Sequence, residues 1–261
     1  LQGIVNGDGT VFCPDNNITF REAVTYFLRA LGYAPYAQSN GGYPNGYARA
    51  LRYAGLNKYV GLYTDDKIKK SEFIALMYDI AETYVIETES FGAETAKYSK
   101  NQTVLEYFHD IYKISDRVNA TFISSLSGYS PVSDANKMRV GNDIYRIKKQ
   151  EFSNYLGYYA DVYCKKENGA VDEIVYIEKN DDTDELCIEA DDIVSFDNLC
   201  YTYGEKKRSA KIADKHTLII NGKRQSVYSS EDFIPDNDYH YYGSLYKQNA
   251  QVKGDKEVNT N

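Results

Sequence analysis

The chain has 261 residues, which suits two modest domains better than one, because single cores stop growing at about 250 residues. Hydrophobic residues make up 43% and charged residues 26%, so disorder by charge excess and a fibrous composition are both excluded, and no apolar run nears the roughly 20 residues of a membrane span. A net charge of -8 argues against a nucleic-acid partner, whose phosphates call for a basic surface. Aromatic usage is lopsided, with 27 Tyr, 10 Phe and no Trp. Tyrosine packs its ring while its hydroxyl stays wet, which suits half-exposed strands and sugar-facing surfaces alike. The chain opens on Leu with no leader pattern, so it reads as a mature or excised fragment, and the missing leader does not place it in the cytoplasm.

The first element runs from Thr19 to about Tyr33. Ala23, Tyr26, Phe27, Ala30 and Leu31 recur at helical spacing and lay an apolar stripe along one face. Thr19 and Glu22 form a T-x-x-E capping box ahead of it, and Gly32 supplies a left-handed stop. A Gly/Ser/Asn/Pro-rich stretch, Ser39 to Gly46, leads into a second helix carrying Tyr47, Leu51 and Ala54 and closed by Gly55. A third helix spans about Lys69 to Tyr84, with Phe73, Leu76, Met77 and Ile80 as its apolar side. The first and third helices look like copies. Ile18-Thr19-Phe20-Arg21-Glu22 aligns with Ile68-Lys69-Lys70-Ser71-Glu72, placing Phe27 on Met77 and Ala30 on Ile80, as packed helical repeats would.

The residues ahead of the first helix sharpen this reading. Gly3-Ile4-Val5-Asn6-Gly7-Asp8-Gly9-Thr10-Val11-Phe12-Cys13-Pro14-Asp15-Asn16-Asn17-Ile18-Thr19, then Glu22-Ala23-Val24 and Arg29-Ala30-Leu31-Gly32-Tyr33, resembles the S-layer homology (SLH) domain. The pattern matched is a GIVNG-x-GDGTF-x-PD segment, an I-T-R-x-E helix start and an RALGY helix end. Gly41-Gly42-Tyr43-Pro44-Asn45-Gly46-Tyr47 and Ala54-Gly55-Leu56 resemble the connection into the next repeat in SLH proteins of clostridial type. About two repeats are visible, the first one truncated.

The resemblance implies all-α repeats over residues 1–85 of an extracellular protein of the cell wall or S-layer. It implies a non-catalytic anchor for secondary cell-wall polysaccharide, often pyruvylated, with other surface-layer proteins as further partners, no membrane insertion and no cofactor. Carried over position by position, it implies a glycan site of Lys70, Arg21, Glu22, Glu72, Gly3 and Gly7. There a cation at a helix start clasps a carboxylate beside free backbone N–H groups. The chain departs from the family at the cation. Phe20 stands where the family has Arg, and Arg21 lies about 100° further round the helix. Lys70 stands there in the second copy, keeping the charge without the bidentate fork. Lys69 replaces the capping Thr, which leaves Asp66 as the nearest candidate cap. The competing reading is a structural or protein-interaction module of a surface-layer assembly, with degenerate repeats and no glycan binding.

Residues 86–107 read as a polar connector, with one helical turn near Thr103 to Phe108. Beyond it the apolar period moves towards two, in Val118, Ala120 and Phe122, in Ala160, Val162 and Cys164, and in Val175 and Ile177. Turn signals at Gly141-Asn142-Asp143, Glu167-Asn168-Gly169, Gly204-Glu205-Lys206 and Asn221-Gly222 separate six to eight short strands. This predicts an α+β chain whose second half, 108–235, is a small antiparallel barrel or sandwich, followed by a polar tail over 236–261. Asp110-Ile111-Tyr112-Lys113-Ile114, Asn154-Tyr155-Leu156-Gly157-Tyr158, Ile188-Glu189-Ala190-Asp191-Asp192-Ile193 and Ile220-Asn221-Gly222-Lys223 resemble a β module that follows SLH repeats in clostridial surface proteins, which implies a spacer or adhesive surface.

Cys13, Cys164, Cys187 and Cys200 show no zinc spacing and read as free buried thiols, with a Cys164–Cys187 pairing left open. Gly7-Asp8-Gly9, Pro14 to Asn17 and the acidic run Asn180 to Glu185 lack the ligand spacing of an EF-hand and read as turns, so no metal site is expected. His109, His216 and His240 are scattered. Asp161, Glu173 and Glu189 are candidate acids on strands, yet no catalytic motif surrounds them and no enzymatic activity is expected.

Overall fold

The computed structural model describes residues 16–91, 96–169, 171–180, 183–189, 193–195, 200–209, 219–220, 223–224 and 242–248. Helices and sheets are both present, in two compact units, Leu1–Tyr112 and Lys113–Asn261. Among the described residues no helix is long and apolar enough to cross a membrane.

The first unit holds α1 (Phe20–Ala30), α2 (Ala34–Ser39), α3 (Asn45–Tyr53), a 3-10 turn (Asn57–Leu62) and α4 (Lys70–Ala81). A hairpin of β1 (Tyr84–Phe91) and β2 (Ala96–Thr103) and the short α5 (Val104–His109) follow. α1 buries Phe20, Ala23, Val24, Leu28 and Leu31, whereas Tyr26 is half-buried and Ala30 exposed. Its core face is therefore turned towards Val24 and Leu28, whose aliphatic volume outweighs that of Ala30. α3 lies across it and buries Tyr47, Ala50 and Leu51. α2 was not legible as a helix, being six residues long with Pro35 in its first turn. α3 approaches α2 so closely that a Cβ on Gly46 would stand 2.0 Å from the Ala37 carbonyl oxygen.

Residues 86–107 are not a connector. β1 and β2 pair antiparallel from Tyr84↔Thr103 to Phe91↔Ala96, and Ile86 sits in the helical core. The Ile86 N–H donates to the Leu31 carbonyl at the end of α1, and the Val104 N–H donates to that of Thr83. Gly32, at φ +87°, lies so near Ile86 that a Cβ there would stand 2.2 Å from its carbonyl oxygen. The Lys100 ammonium donates to the Tyr53 carbonyl at 2.5 Å and stands 3.7 Å over the Tyr53 ring. Val85 and Ile86 are adjacent and Tyr98 is the hairpin's other apolar residue packed on that core among the described ones, so neither strand shows an alternating signature.

The second unit is built on a five-stranded sheet of β3 (Ile111–Ala120), β4 (Lys137–Val140), β5 (Asp143–Ile147), β6 (Tyr159–Lys165) and β7 (Glu173–Lys179). The order is β3-β4-β5-β7-β6, and hydrogen bonds from the Val118 N–H to the Tyr158 carbonyl and from the Gly157 N–H to the Val118 carbonyl join its ends, closing the sheet. β5 and β7 run parallel, against the all-antiparallel expectation, because the β6–β7 hairpin folds back and seats β7 beside β5. Ala160, Val162 and Cys164 are buried in phase as read. β7 breaks its own alternation: a bulge opposite Tyr163 and Cys164 makes Val175 the extra residue, so Ile174 and Ile177 point inward instead of Val175 and Ile177. Phe122 is exposed because β3 ends at Ala120 and a turn from Thr121 to Ser124 follows.

Smaller sheets pair β9 (Ile193–Ser195), β10 (Cys200–Tyr203) and β11 (Lys206–Ser209), and β12 (Ile219–Ile220) with β13 (Lys223–Arg224), whose register fits the Asn221-Gly222 hairpin. β8 (Thr183–Glu189) pairs with β14 (Tyr242–Gln248), so part of the expected tail is a strand. Cys164 is buried and Cys200 half-buried, and neither is in a disulfide. Cys13 lies outside the described residues.

Glu173, on the parallel seam, has a 6% exposed side chain and receives Arg146 at 2.7 Å and Lys148 at 2.8 Å. Lys148, then Arg146, hold its carboxyl below the usual carboxylate range against the opposing effect of burial. A depressed folded pKa gives stability that is full above the unfolded value of about 4.3 and is lost as pH falls through the folded value. Glu173→Gln should therefore cost about 2 kcal/mol at pH 7, with the gap closing as pH falls below the ordinary carboxylate range and the native carboxylate protonates. Urea unfolding of both proteins at pH 7 and well below that range checks this, and an equal gap at both would overturn it.

Candidate functional site

The two repeat starts are hydrogen-bonded to each other. Thr19 and Lys67 form an antiparallel bridge, the Ile68 N–H donates to the Ile18 carbonyl at 3.2 Å, and the Phe20 N–H donates to the Asp66 carbonyl at 2.9 Å. The Arg21 N–H continues the pairing to the Thr64 carbonyl at 3.0 Å. Thr19 and Glu22 complete the capping box, the Glu22 N–H donating to Thr19 Oγ1 and the Thr19 N–H to Glu22 Oε2. The first three N–H groups of α1 are thus all satisfied within the protein. The expectation of free donors at this helix start is corrected, and Glu22 is a cap here.

The start of α4 is built differently. Glu72 accepts the Lys69 N–H at 2.9 Å, which gives half of a capping box, because a lysine side chain has no acceptor to return. Asp66 is not the missing cap: its carbonyl serves Phe20 and its carboxylate accepts from Thr64 Oγ1. The N–H groups of Lys70 and Ser71 meet no carbonyl from the paired segment. Lys70 is exposed and makes no ion pair among the described residues. Thr64 opposite Arg21 and Ile68 opposite Ile18 put Arg21 and Lys70 at opposite ends of the paired stretch, so the two cations do not converge. Gly3 and Gly7 lie outside the described residues.

Arg21 belongs to a ladder that the motif did not reveal. Arg21, Thr25 and Arg29 follow at i, i+4 and i+8 along one side of α1, and each meets a tyrosine. The Arg21 guanidinium stands 5.5 Å from the Tyr63 ring centre and pairs with Asp65 at 2.7 Å, while its Nε is buried without an acceptor. Thr25 Oγ1 lies 3.0 Å from the Tyr63 hydroxyl. Arg29 Nε donates to the Tyr47 hydroxyl at 3.0 Å, and Tyr47 meets the edge of Tyr43, which is 54% exposed on the loop before α3. Burial raises the Tyr63 phenol most, Thr25 and Arg21 lower it, and the nearby Tyr43 and Tyr47 raise it further. The four-residue spacing of Arg21, Thr25 and Arg29 was the signal available in the sequence.

The strand carboxylates are neutralised. Asp161 accepts from Ser115 at 2.6 Å, from Asn180 at 2.5 Å and from Lys113 at 2.8 Å. Burial opposes its ionisation and these three donors outweigh it, holding the carboxyl below its usual range. Glu173 is clamped by Arg146 and Lys148, and the side chain of Glu189 lies outside the described residues. No family model matches the chain, and no curated protein or solved structure matches it either.

The unequal caps have a thermodynamic consequence. Lys69→Thr restores the missing acceptor and should raise stability by about 1 kcal/mol, whereas Thr19→Ala should lower it by about 1 kcal/mol. Urea denaturation reads both, and destabilisation by Lys69→Thr would contradict the cap assignment.

Proposed function

We propose that the chain is a cell-surface anchoring module in which the SLH-like helices of the first unit dock on an acidic secondary cell-wall polysaccharide, with the second unit a spacer or adhesive module. The observation that carries this reading is the contrast between the helix starts. α1 spends its N-terminal donors on the Asp66 and Thr64 carbonyls and on Thr19, while α4 offers an exposed Lys70 beside N–H groups that no paired segment takes up. An ammonium and helix N–H groups together suit a sugar carboxylate, such as that of a pyruvyl ketal. Arg21 and the exposed Tyr43 offer a separate cationic and aromatic surface along α1. On this reading the protein works outside the cell, in the wall or S-layer, without a cofactor.

A second reading, a surface-layer assembly module with no glycan affinity, draws on Arg21, whose guanidinium Asp65 already holds. Retention on purified cell wall, with and without its acidic polymer, separates the two. The anchoring reading expects polymer-dependent retention, weakened about tenfold by Lys70→Ala. Asp65→Asn, by releasing Arg21, should leave retention equal or stronger. Retention that does not depend on the polymer would overturn the function, and unchanged retention of Lys70→Ala would overturn the site.

A further inference from the structure

The β1–β2 hairpin spends one face on the helices and keeps the other open. Ile86, Tyr98 and Lys100 turn inward, onto the core and the Tyr53 ring. Glu87, Ser99, Asn101 and Gln102 face the other way, and with the half-buried Val85 and with Tyr107 of α5 they line a shallow cleft. A slip in the ladder concentrates the polar groups there. Val85 stands opposite Gln102 and Ile86 opposite Lys100, so Asn101 is an extra residue, and Asn101 and Gln102 share the outer face instead of alternating. α5 supplies the wall. In its capping box the Thr103 N–H donates to Glu106 Oε2 at 2.8 Å and the Glu106 N–H to Thr103 Oγ1, which starts the helix at the end of β2 and lays it against both strands. Tyr107 is 49% exposed there, edge-to-face with Phe108 at 4.9 Å between ring centres. Among the described residues, the side chains of Glu87, Ser99, Asn101 and Gln102 and the Tyr107 hydroxyl make no hydrogen bond or ion pair. Other carboxylates of this unit, such as Glu72, Asp79 and Glu106, are each held by a cap or a cation.

We propose that this cleft binds one uncharged pyranose of a glycan, a neutral-sugar subsite built from residues other than those at the α4 start. The Tyr107 ring offers an apolar face to the C–H face of the sugar while its hydroxyl stays wet. Glu87 accepts from neighbouring sugar hydroxyls in charge-assisted bonds, and Ser99, Asn101 and Gln102 each both donate and accept, as a hydroxyl asks of its partner. A concave surface with one apolar wall and a few convergent polar groups is the usual form of a small-ligand site. Charge selects the ligand. No cation lines the cleft, so a phosphate or a sugar acid would meet the Glu87 carboxylate unshielded and be repelled. A lone carboxylate also falls short of a metal site, and the described residues hold no cluster of metal-ligating side chains. Neither Lys70 nor an acidic polymer enters this recognition, which is therefore independent of the anchoring reading.

Saturation-transfer difference NMR on the full chain tests this with the methyl pyranosides of glucose, galactose, mannose, N-acetylglucosamine and N-acetylmannosamine, and with glucuronic acid as the anionic comparison. At least one neutral pyranoside should show transfer to its ring protons with a Kd on the order of 1 to 10 mM, the range open to a single ring in a shallow cleft. Tyr107→Ala and Glu87→Gln should each weaken that binding about fivefold or more. Circular dichroism should stay unchanged in both, since both side chains are exposed. No transfer to any neutral pyranoside at about 50 mM, glucuronic acid binding as well as the neutral sugars, or indifference to either variant would overturn the proposal. Wall retention is measured separately with the acidic polymer, so failure here leaves the anchoring reading standing, and failure there leaves this subsite standing.

Discussion

Three backbone hydrogen bonds between the segments ahead of α1 and α4 set the geometry of the first unit. They join Ile18 to Ile68, Phe20 to Asp66 and Arg21 to Thr64, so two repeat starts fifty residues apart become one antiparallel pair. Four consequences follow from that pairing. It consumes donors that a helix N-terminus otherwise holds out to water or to an anion. It brings Tyr63, one residue before Thr64, against Thr25 and Arg21 on α1. It fixes α4 beside α1, where Phe27 and Phe73 meet with ring centres 5.7 Å apart. It also makes the copies unequal, because the start whose N–H groups donate into the pairing is closed and the other is left with half a cap.

What was legible in the sequence follows from how local each signal is. The α1 capping box and the Gly32 stop depend on a few neighbouring residues and form as their chemistry requires, and the strands flanking Asn221-Gly222 pair in the register that a two-residue loop sets. The β1–β2 hairpin was hidden because Ile86 anchors it through a contact with Gly32 and Leu31, more than fifty residues earlier. The phase of β7 was misread because a bulge is a property of two strands together. Among the site residues, Lys70 could be placed at a helix start from its motif. That Glu22 and Glu72 would serve as caps was readable from their spacing to Thr19 and Lys69, whereas the pairing of Arg21 with Asp65 needed the fold.

The tyrosine excess also acquires a physical meaning. Strand packing was the plainer reading of 27 tyrosines, yet Tyr33, Tyr47, Tyr59 and Tyr63 are buried in the helical unit, where Leu or Phe would ordinarily pack. A phenol in a core has to find a partner for its hydroxyl, or it bears the cost of desolvation. Each of the four does: Tyr33 donates to the Tyr84 carbonyl, Tyr59 to the Asp79 carboxylate, Tyr63 pairs with Thr25, and Tyr47 accepts from Arg29. Burial pushes the Tyr33 and Tyr59 phenols up, Asp79 adding to the effect at Tyr59, so both stay protonated donors at physiological pH. Apolar area alone would let these helices slide past one another with little penalty, whereas a hydroxyl tied to one acceptor accepts a single register. The aromatic bias of the composition, open at first between strand packing and ligand stacking, is thus partly a device for fixing how short helices dock. Tyr43, at the exposed end of the Arg29–Tyr47 chain, is where that device reaches the surface and a ring becomes available to a partner.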